Sequence, residues 1–183
     1  MAYLLTDEET QRLIFRSIED ISFEQWLPFF HIANNARMVA LDHLETPEAQ
    51  CRFWFERAHK RINDGLGGLN ALYEKESGQP VGQCGLLVQP LHGKQELEVG
   101  YSLLPAHWGK GYAIEAARKA RDIAFERNYT DTLISIIHVD NEPSKKVARK
   151  NGMSLWETTL FRDIFPVDIF SIDRETWKRE AEI

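Results

Sequence analysis

The sequence lacks any stretch of apolar residues long enough to cross a membrane. No run approaches the roughly 20 consecutive apolar residues that a membrane-spanning helix requires. Residues 1–10 also lack the apolar core and small-residue cleavage site of a secretory signal. We therefore expect a cytoplasmic protein that is neither exported nor inserted into a membrane.

Cysteine is scarce, because the chain contains only Cys51 and Cys84. These two form neither a C-x-x-C pair nor a zinc-ligand spacing, so we expect buried free thiols and no need for an oxidising compartment. The histidines show no H-E-x-x-H or comparable spacing either. The sequence therefore predicts no metal site.

An excess of basic residues is missing as well. Twenty-two Lys and Arg stand against 28 Asp and Glu, a formal net charge of −6. This balance argues against direct binding of DNA or RNA and makes a mildly cationic partner easier to accommodate. No repeat, low-complexity tract or linker divides the 183 residues, so we expect a single domain over residues 1–183, as a monomer or homodimer.

The apolar residues of the first half recur with the periods of helices and strands. Thr46 and Pro47 supply a helix N-cap and a proline at the first helical position, and clusters of turn residues separate the later strands. The predicted elements are a strand at 11–16, helices at 22–32 and 46–63, and strands at 69–74, 81–89 and 95–104. The last three strands predict an antiparallel meander.

The second half alternates between helices and strands. The most regular helix spans residues 113–127, with small apolar residues on one face and charged residues on the other. Residues 132–138 are β-branched and apolar on both faces, which predicts a buried strand and a parallel crossover. Asn141 is the expected cap of a short helix, and two closing strands follow within residues 154–172.

A glycine-rich turn stands just before the helix at residues 113–127. Such a turn leaves backbone N–H groups unpaired at the positive end of the helix dipole, where a phosphate or pyrophosphate can bind. Gly109 and Gly111 would let the ligand approach the main chain closely. A G-x-G pattern alone is more often only a tight turn, so the surrounding sequence must decide between a tight turn and a phosphate site.

Neither common nucleotide motif fits this turn. G-x-G-x-x-G would need a glycine where Ile114 stands, and a Walker loop would need Ser or Thr after Lys110. Dinucleotide binding and nucleotide hydrolysis are therefore excluded.

Several segments, in the same order, resemble the GCN5-related N-acetyltransferase (GNAT) superfamily, and more narrowly its ribosomal-protein N-acetyltransferase branch, the RimJ/RimL type. They are Glu-Val-Gly-Tyr at 98–101, Pro-Ala-His-Trp-Gly-Lys-Gly-Tyr-Ala at 105–113, Glu-Ala at 115–116, Asn-Glu-Pro-Ser at 141–144 and Asn-Gly-Met at 151–153. The resemblance implies an α/β (α+β) fold with a mixed, mostly antiparallel sheet and helices on both faces. A splayed parallel strand pair would form the acetyl-CoA cleft.

The resemblance also assigns cofactor-binding residues. The turn and helix start hold the coenzyme A pyrophosphate through backbone amides in this family, which implies that role for Trp108, Gly109, Lys110, Gly111, Tyr112 and Ala113. Leu103 and its neighbours would pair with the pantetheine arm. Asn141 and Ser144 match the family's N-x-x-S element, in which the Asn contacts the cofactor and the Ser can lie near the thioester sulfur.

Catalysis needs a base, because a protonated amine must lose its proton before it attacks the thioester. The family places a carboxylate at Glu98 in several members, although a solvated strand glutamate is the alternative. His138, at the end of the other cleft strand, is a rival base. Ser144 is the candidate general acid, since the Tyr that many relatives use is replaced by Ala148.

Two further groups of residues have weaker assignments. The aromatic residues near the first helices could line an acceptor pocket, although core packing suits most of them better. They are Trp26, Phe29, Phe30, Phe53, Trp54 and Phe55. The basic pairs at 145–146 and 149–150 could meet the 3′-phosphate of coenzyme A, or lie on a solvated helix face.

These observations predict an N-acetyltransferase that passes an acetyl group directly from acetyl-CoA to an amine, which is a protein N-terminus or a small molecule. The alternative is a non-catalytic GNAT domain that binds or senses acyl-CoA and regulates a partner, and the missing Tyr favours it.

Overall fold

Residues 3–181 are described by a computed structural model that is built around a seven-stranded sheet. The strands are β1 (Leu13–Arg16), β2 (Gly67–Glu74), β3 (Pro80–Leu91), β4 (Lys94–Leu103), β5 (Thr132–His138), β6 (Ser154–Phe161) and β7 (Phe165–Asp173). Their order across the sheet is β1-β2-β3-β4-β5-β7-β6. Every neighbouring pair is antiparallel except β4 and β5, which are parallel, so the predicted mixed sheet is confirmed.

Helices cover both faces of this sheet. They are α1 (Phe23–Trp26), α2 (Asn35–Met38), α3 (Pro47–Asn63), α4 (Tyr112–Glu126), α5 (Glu142–Lys150) and α6 (Arg174–Ala181). The alanine-rich side of α4 packs with Leu97, Val99 and Leu103 of β4 in one apolar cluster. On the opposite face, α1 and α3 form a second cluster with Ala71 and Tyr73 of β2.

The β4–β5 pair is splayed. Leu97 is paired with Leu133 and Glu98 with Ile134, and the parallel register ends there. β5 stays paired along its whole length with β7 on its other side, from Thr132 to His138. A cleft therefore opens through the sheet beyond Glu98, and the predicted splayed pair is confirmed.

The predicted single helix at residues 22–32 is wrong. Ser22 caps α1 in a reciprocal box with Gln25, but α1 ends at Trp26 and a 3-10 helix, Leu27–Phe29, follows. Pro28 has no N–H to donate, and its ring obstructs a continued α-helical turn. The helices α2 and α6 were not predicted.

Burial separates the two predicted thiols from solvent. Cys51 and Cys84 are both free and buried, as predicted, and burial raises the pKa of Cys51 to about 12. Within residues 3–181, no helix is both long and apolar enough to cross a membrane.

Candidate active site

The glycine-rich turn has a backbone that only glycine adopts without strain. Gly109 and Gly111 have φ values of 74° and 82°, in the left-handed region. Gly111 is the N-cap residue of the 15-residue helix α4. It has no side chain that could accept from the first N–H groups of the helix. The first N–H groups of α4 therefore remain available to a ligand at the positive end of the helix dipole.

The side chains of the turn leave this end of α4 open. Trp108, Gly109 and Lys110 are exposed, and Trp108 Nε1 donates to the Leu103 carbonyl over 2.9 Å. Because this hydrogen bond holds the indole against β4, the main chain of Trp108 is the part that can contact a ligand. Tyr112 turns inward, with its hydroxyl bonded to the Glu74 carboxylate.

Arg12 and Glu115 fasten the turn to the start of β1. The Glu115 carboxylate accepts from the Arg12 N–H over 2.8 Å and from Arg12 Nε over 2.6 Å, and the Thr10 hydroxyl donates to it over 2.6 Å. Arg12 Nη1 also donates to the Lys110 carbonyl over 2.9 Å. Although burial alone would raise it, these bonds hold the pKa of Glu115 below its ordinary value.

Main-chain groups of β4 face the cleft at alternate residues. The Ser135 hydroxyl of β5 donates to the Val99 carbonyl over 3.1 Å, so this carbonyl points towards β5. The strand period of two then directs the main-chain groups of Tyr101 and Leu103 into the cleft. The Leu103 carbonyl already accepts from Trp108 Nε1, and its pairing with a pantetheine arm stays a prediction.

Glu98 lies at the vertex of the cleft. Its Oε1 accepts from the Ile136 N–H over 3.1 Å and its Oε2 accepts from Gln89 Nε2 over 2.6 Å. The side chain is only 8% exposed, so it is not a solvated strand glutamate. Burial raises the pKa of Glu98, against the opposing influence of these hydrogen bonds and of Arg61 and Arg57.

His138 is a buried, neutral imidazole on the same face of the sheet. Its ring lies 5.1 Å from that of Phe165, and its Nδ1 accepts from the Asp140 N–H over 3.1 Å. Burial lowers its pKa, and Arg37 adds to the effect. With Nδ1 engaged as an acceptor, the proton of the neutral ring belongs on Nε2. Nε2 could accept a proton only after the ring changed to its other tautomer. Glu98 therefore fits the role of general base better.

Asn141 and Ser144 lie at the start of α5, across the cleft from Glu98. Asn141 Oδ1 accepts from the Ser144 N–H over 3.2 Å, which is the predicted cap. The Tyr101 hydroxyl, which sequence reasoning missed, donates to the Ser144 carbonyl over 2.8 Å and ties β4 to α5. Burial raises the pKa of Tyr101, so this hydroxyl stays protonated. Ala148 is fully buried in the core.

The structure decides two of the weaker assignments, one against and one in favour of the expectation. Lys145 is buried between Asp168 and Glu142, with its Nζ 2.7 Å and 2.9 Å from their carboxylates. The idea that Lys145 meets a phosphate is therefore wrong, because its charge is already paired. Among the aromatic residues, Trp26, Phe29, Phe30 and Trp54 stack in the buried α1–α3 cluster, so core packing is confirmed for them.

The chain belongs to the GNAT acetyltransferases, since residues 12–154 match the sequence family described as "Acetyltransferase (GNAT) domain". An uncharacterised protein of Bacillus subtilis (strain 168), YkkB, is 36% identical over 150 residues, which cover 81% of this chain and 86% of YkkB.

Solved structures share the fold. An acetyltransferase from Agrobacterium tumefaciens str. C58 has a TM-score of 0.75 and 24% identity, over 95% of this chain and 98% of that chain. RimL, a ribosomal alpha-N-protein acetyltransferase solved with coenzyme A, has a TM-score of 0.68 and 13% identity, over 93% and 98%. A spermidine N-acetyltransferase from Vibrio cholerae, solved with coenzyme A and spermine, has a TM-score of 0.69 and 16% identity, over 92% and 99%.

Proposed function

We propose that the protein transfers an acetyl group from acetyl-CoA to an amine, with no covalent enzyme intermediate. The observation that carries this proposal is the cleft between β4 and β5, which opens directly beside the left-handed glycine turn at the start of α4. Both features fit the donor. The turn offers N–H groups to the pyrophosphate, and the cleft offers the main chain of β4 to the pantetheine arm.

In this proposal the donor and the acceptor approach from opposite faces of the sheet. Tyr101 and the start of α5 lie on the α4 face, while Glu98 and His138 lie on the face covered by α3. The thioester would lie in the cleft, with its sulfur towards Ser144 and its carbonyl carbon open to the α3 face. Trp108, Gly109, Lys110, Gly111, Tyr112, Ala113, Leu103 and Asn141 form the donor side.

The proposed reaction begins with attack of the free amine on the thioester carbon. As the N–C bond forms, the nitrogen passes its proton to Glu98, either directly or through a water. The Tyr101 N–H, which faces the cleft, is placed to stabilise the developing oxyanion. The C–S bond then breaks, and the coenzyme A thiolate takes a proton from the Ser144 hydroxyl. The serine regains a proton from solvent as Glu98 releases to solvent the proton that it took from the amine, so the enzyme ends unchanged.

The environment of Glu98 supports its role. A buried carboxyl with a raised pKa holds a proton more readily than an ordinary glutamate, which suits a base working near neutral pH. Each of its oxygens has one protein partner and a further lone pair, so the carboxylate can still accept from an amine or a water.

The narrower proposal concerns the acceptor. The RimJ/RimL-like segments favour the N-terminal amine of a protein, whereas the spermidine acetyltransferase shows that this fold also accepts small amines. Comparing acetylated protein N-termini in cells with and without the gene separates the two. N-termini that lose acetylation in the deletion strain would identify protein substrates, and an unchanged set would favour a small amine.

The general proposal is tested by thermal melting with and without acetyl-CoA, followed by an assay for free coenzyme A thiol on a broad amine panel. A ligand at about 100 times its dissociation constant stabilises a folded site by roughly 2.7 kcal/mol, so the melting temperature should rise by several degrees. Binding without turnover on any amine would favour the non-catalytic acyl-CoA sensor. Absence of binding would refute both functions.

A further inference from the structure

The α3 face of the cleft carries an excess of positive charge around Glu98. Arg57 and Arg61 of α3 influence the pKa of Glu98, and Arg162, from the turn between β6 and β7, influences that of Arg57. We call Arg57, Arg61 and Arg162 the arginine cluster. With Glu98 ionised, these four side chains still carry two net positive charges.

Neighbouring contacts fix where Arg57 lies over the sheet. One turn before it, Trp54 Nε1 donates to Gln83 Oε1 over 2.9 Å, and Gln83 is opposite Ser102 of β4. One turn after it, Arg61 Nη2 donates to the Val88 carbonyl over 2.6 Å, and Val88 is opposite Leu97. Arg57 lies on the same face of α3 as Trp54 and Arg61. It therefore lies above β4 between Leu97 and Ser102, where the cleft opens.

Arg162 approaches the same region from the other side of the cleft. Its guanidinium lies over the Phe161 ring, 5.1 Å from the centroid. Phe161 and Phe165 pack against Ile134 of β5 on the face of the sheet that also carries His138. The exposed Arg162 guanidinium thus lies on the acceptor side of the sheet, where its charge acts on Arg57.

Among residues 3–181 the cluster has no ion-paired carboxylate, although the charge of Glu98 acts on Arg57 and Arg61. None of its three arginines forms an ion pair with any residue from 3 to 181, and Glu98 uses its oxygens for Gln89 and Ile136 instead. Arg61 is committed to the carbonyls of Leu66 and Val88. For Arg57 and Arg162, no hydrogen-bond partner is found in the same residues.

One carboxylate among three guanidinium groups leaves positive charge unbalanced. Arg57 is half-buried, and burial lowers its pKa to about 10, with Arg162 and Arg61 adding to the effect. Like charges that are gathered near one buried carboxylate repel each other, and a bound carboxylate would relieve that repulsion through paired N–H donors.

We propose that Arg57 and Arg162 bind a carboxylate carried by the acceptor amine, so that the substrate is an amino acid or a peptide with an acidic residue at its amino terminus. This inference rests on the proposed acetyl transfer. It also reverses the expectation of a mildly cationic partner that the net charge of −6 suggested. The local charge of the acceptor side decides which ligand is held there, whatever the sign of the whole chain.

The test uses matched acceptors that differ in one charge. Each common amino acid is compared with its carboxamide, and peptides that begin with aspartate are compared with the same peptides that begin with asparagine. The measured quantity is the ratio of kcat/KM for the carboxylate to kcat/KM for its neutral partner. Wild type should show a ratio of about ten or more for at least one pair, as expected for loss of a charge-assisted hydrogen bond. The first arm identifies an amino acid and the second a peptide.

Variants connect that ratio to the cluster. Arg57→Met and Arg162→Met should each lower it about tenfold. Arg162→Met is the cleaner change, because Arg57 is among the largest influences on the pKa of Glu98 and Arg162 is not. Arg52→Met removes an exposed charge from the same helix and should leave the ratio as in wild type.

Calorimetric binding of the same probes to the coenzyme A complex needs no turnover, so it tests the subsite even if acetyl transfer is absent. Tighter binding of the carboxylate than of its neutral partner, lost in Arg162→Met, supports the proposal. Equal binding within every pair, or a preference that survives both variants, overturns it and leaves the proposed acetyl transfer intact where acetyl-CoA still binds and reacts.

Discussion

Arg12 holds the Glu115 carboxylate through its main-chain N–H and its guanidinium at once, with contacts of 2.8 Å and 2.6 Å. The same guanidinium donates to the Lys110 carbonyl over 2.9 Å and lies 4.5 Å from the centre of the Tyr112 ring. One side chain thereby fixes both the turn and the first residues of α4. The shape of the glycine-rich turn, the proposed phosphate site, therefore depends on a residue 98 positions earlier in the chain.

Replacing Arg12 should weaken donor binding more than it slows chemistry. Arg12→Ala frees the Lys110 carbonyl and leaves Glu115 without its cation at the end of α4 that would receive an anion. We expect KM for acetyl-CoA to rise about tenfold, the usual effect of one charge-assisted hydrogen bond, with kcat nearly unchanged. Steady-state kinetics with varied acetyl-CoA measures both.

Arg16→Ala is the matched control for that change. Arg16 is exposed at the end of β1 and stacks on Tyr73 at 4.6 Å, away from the turn. It should leave KM for acetyl-CoA as in wild type. An equal rise in KM for both variants would show that loss of positive charge, rather than the Arg12 contacts, weakens binding.

Local sequence patterns predicted the parts of the fold that depend on neighbouring residues. The strand at 132–138 has the same bounds in the structure, because β-branched residues that are apolar on both faces suit only a buried strand. The helix at 22–32 failed at Pro28, where the apolar spacing continued but the backbone could not.

Contacts between residues far apart in the chain could not be predicted from the sequence. Arg12 and Glu115 are 103 residues apart, and nothing in the surroundings of Arg12 distinguishes it from an exposed strand residue. Lys145 looked like its exposed neighbour Lys146 until β7 brought Asp168 to within 2.7 Å. The family resemblance singled out Glu98 as the candidate base, and that role stays a prediction. Its raised pKa follows from burial, which the sequence did not predict.

A bulky residue at Gly111 should abolish donor binding beyond its cost in stability. Gly111 has φ of +82°, and a Cβ there would lie 3.3 Å from Arg12 Nη2. Gly111→Leu would strain the backbone by roughly 1–2 kcal/mol and push a side chain into the turn. We expect a lower melting temperature and no upward shift with acetyl-CoA.

Gly78→Leu provides the comparison, because Gly78 also has positive φ, +65°, but lies in an open turn between β2 and β3. It should lower the melting temperature by a similar amount and keep the full shift with acetyl-CoA. If Gly111→Leu kept that shift, the turn would not be the phosphate site.

Lys145→Met should destabilise the fold without affecting recognition of the 3′-phosphate. Asp168 is half-buried and would lose its cation, which costs about 2 kcal/mol, whereas Lys146→Met at an exposed position should cost less than about 0.5 kcal/mol. Urea unfolding measures both values. The ratio of affinities for coenzyme A and its 3′-dephospho form should be the same in Lys145→Met and wild type. A lower ratio would return Lys145 to the phosphate site.

Glu98→Gln should reduce kcat by about 100-fold at pH 7 while the protein stays folded. The proposed base, Glu98, accepts a proton only as a carboxylate, so wild-type activity should fall as the pH drops through its raised pKa. The variant lacks this acidic limb, and its rate should rise with pH until the pKa of the acceptor amine is passed, roughly 8 for a peptide amino terminus and roughly 10 for an alkyl amine.

The same variant should also change how folding stability depends on pH. The pKa of Glu98 is higher in the folded chain than in the unfolded chain, so the stability linked to its proton is present at low pH and is lost as the pH rises through the folded pKa. Glu98→Gln stays neutral, and its melting temperature relative to wild type should rise between pH 4 and pH 8. Glu96→Gln, on the same strand but half-exposed, should change neither the rate nor this difference. If Glu98→Gln retained the wild-type rate and acidic limb, the amine would lose its proton to another group or to water.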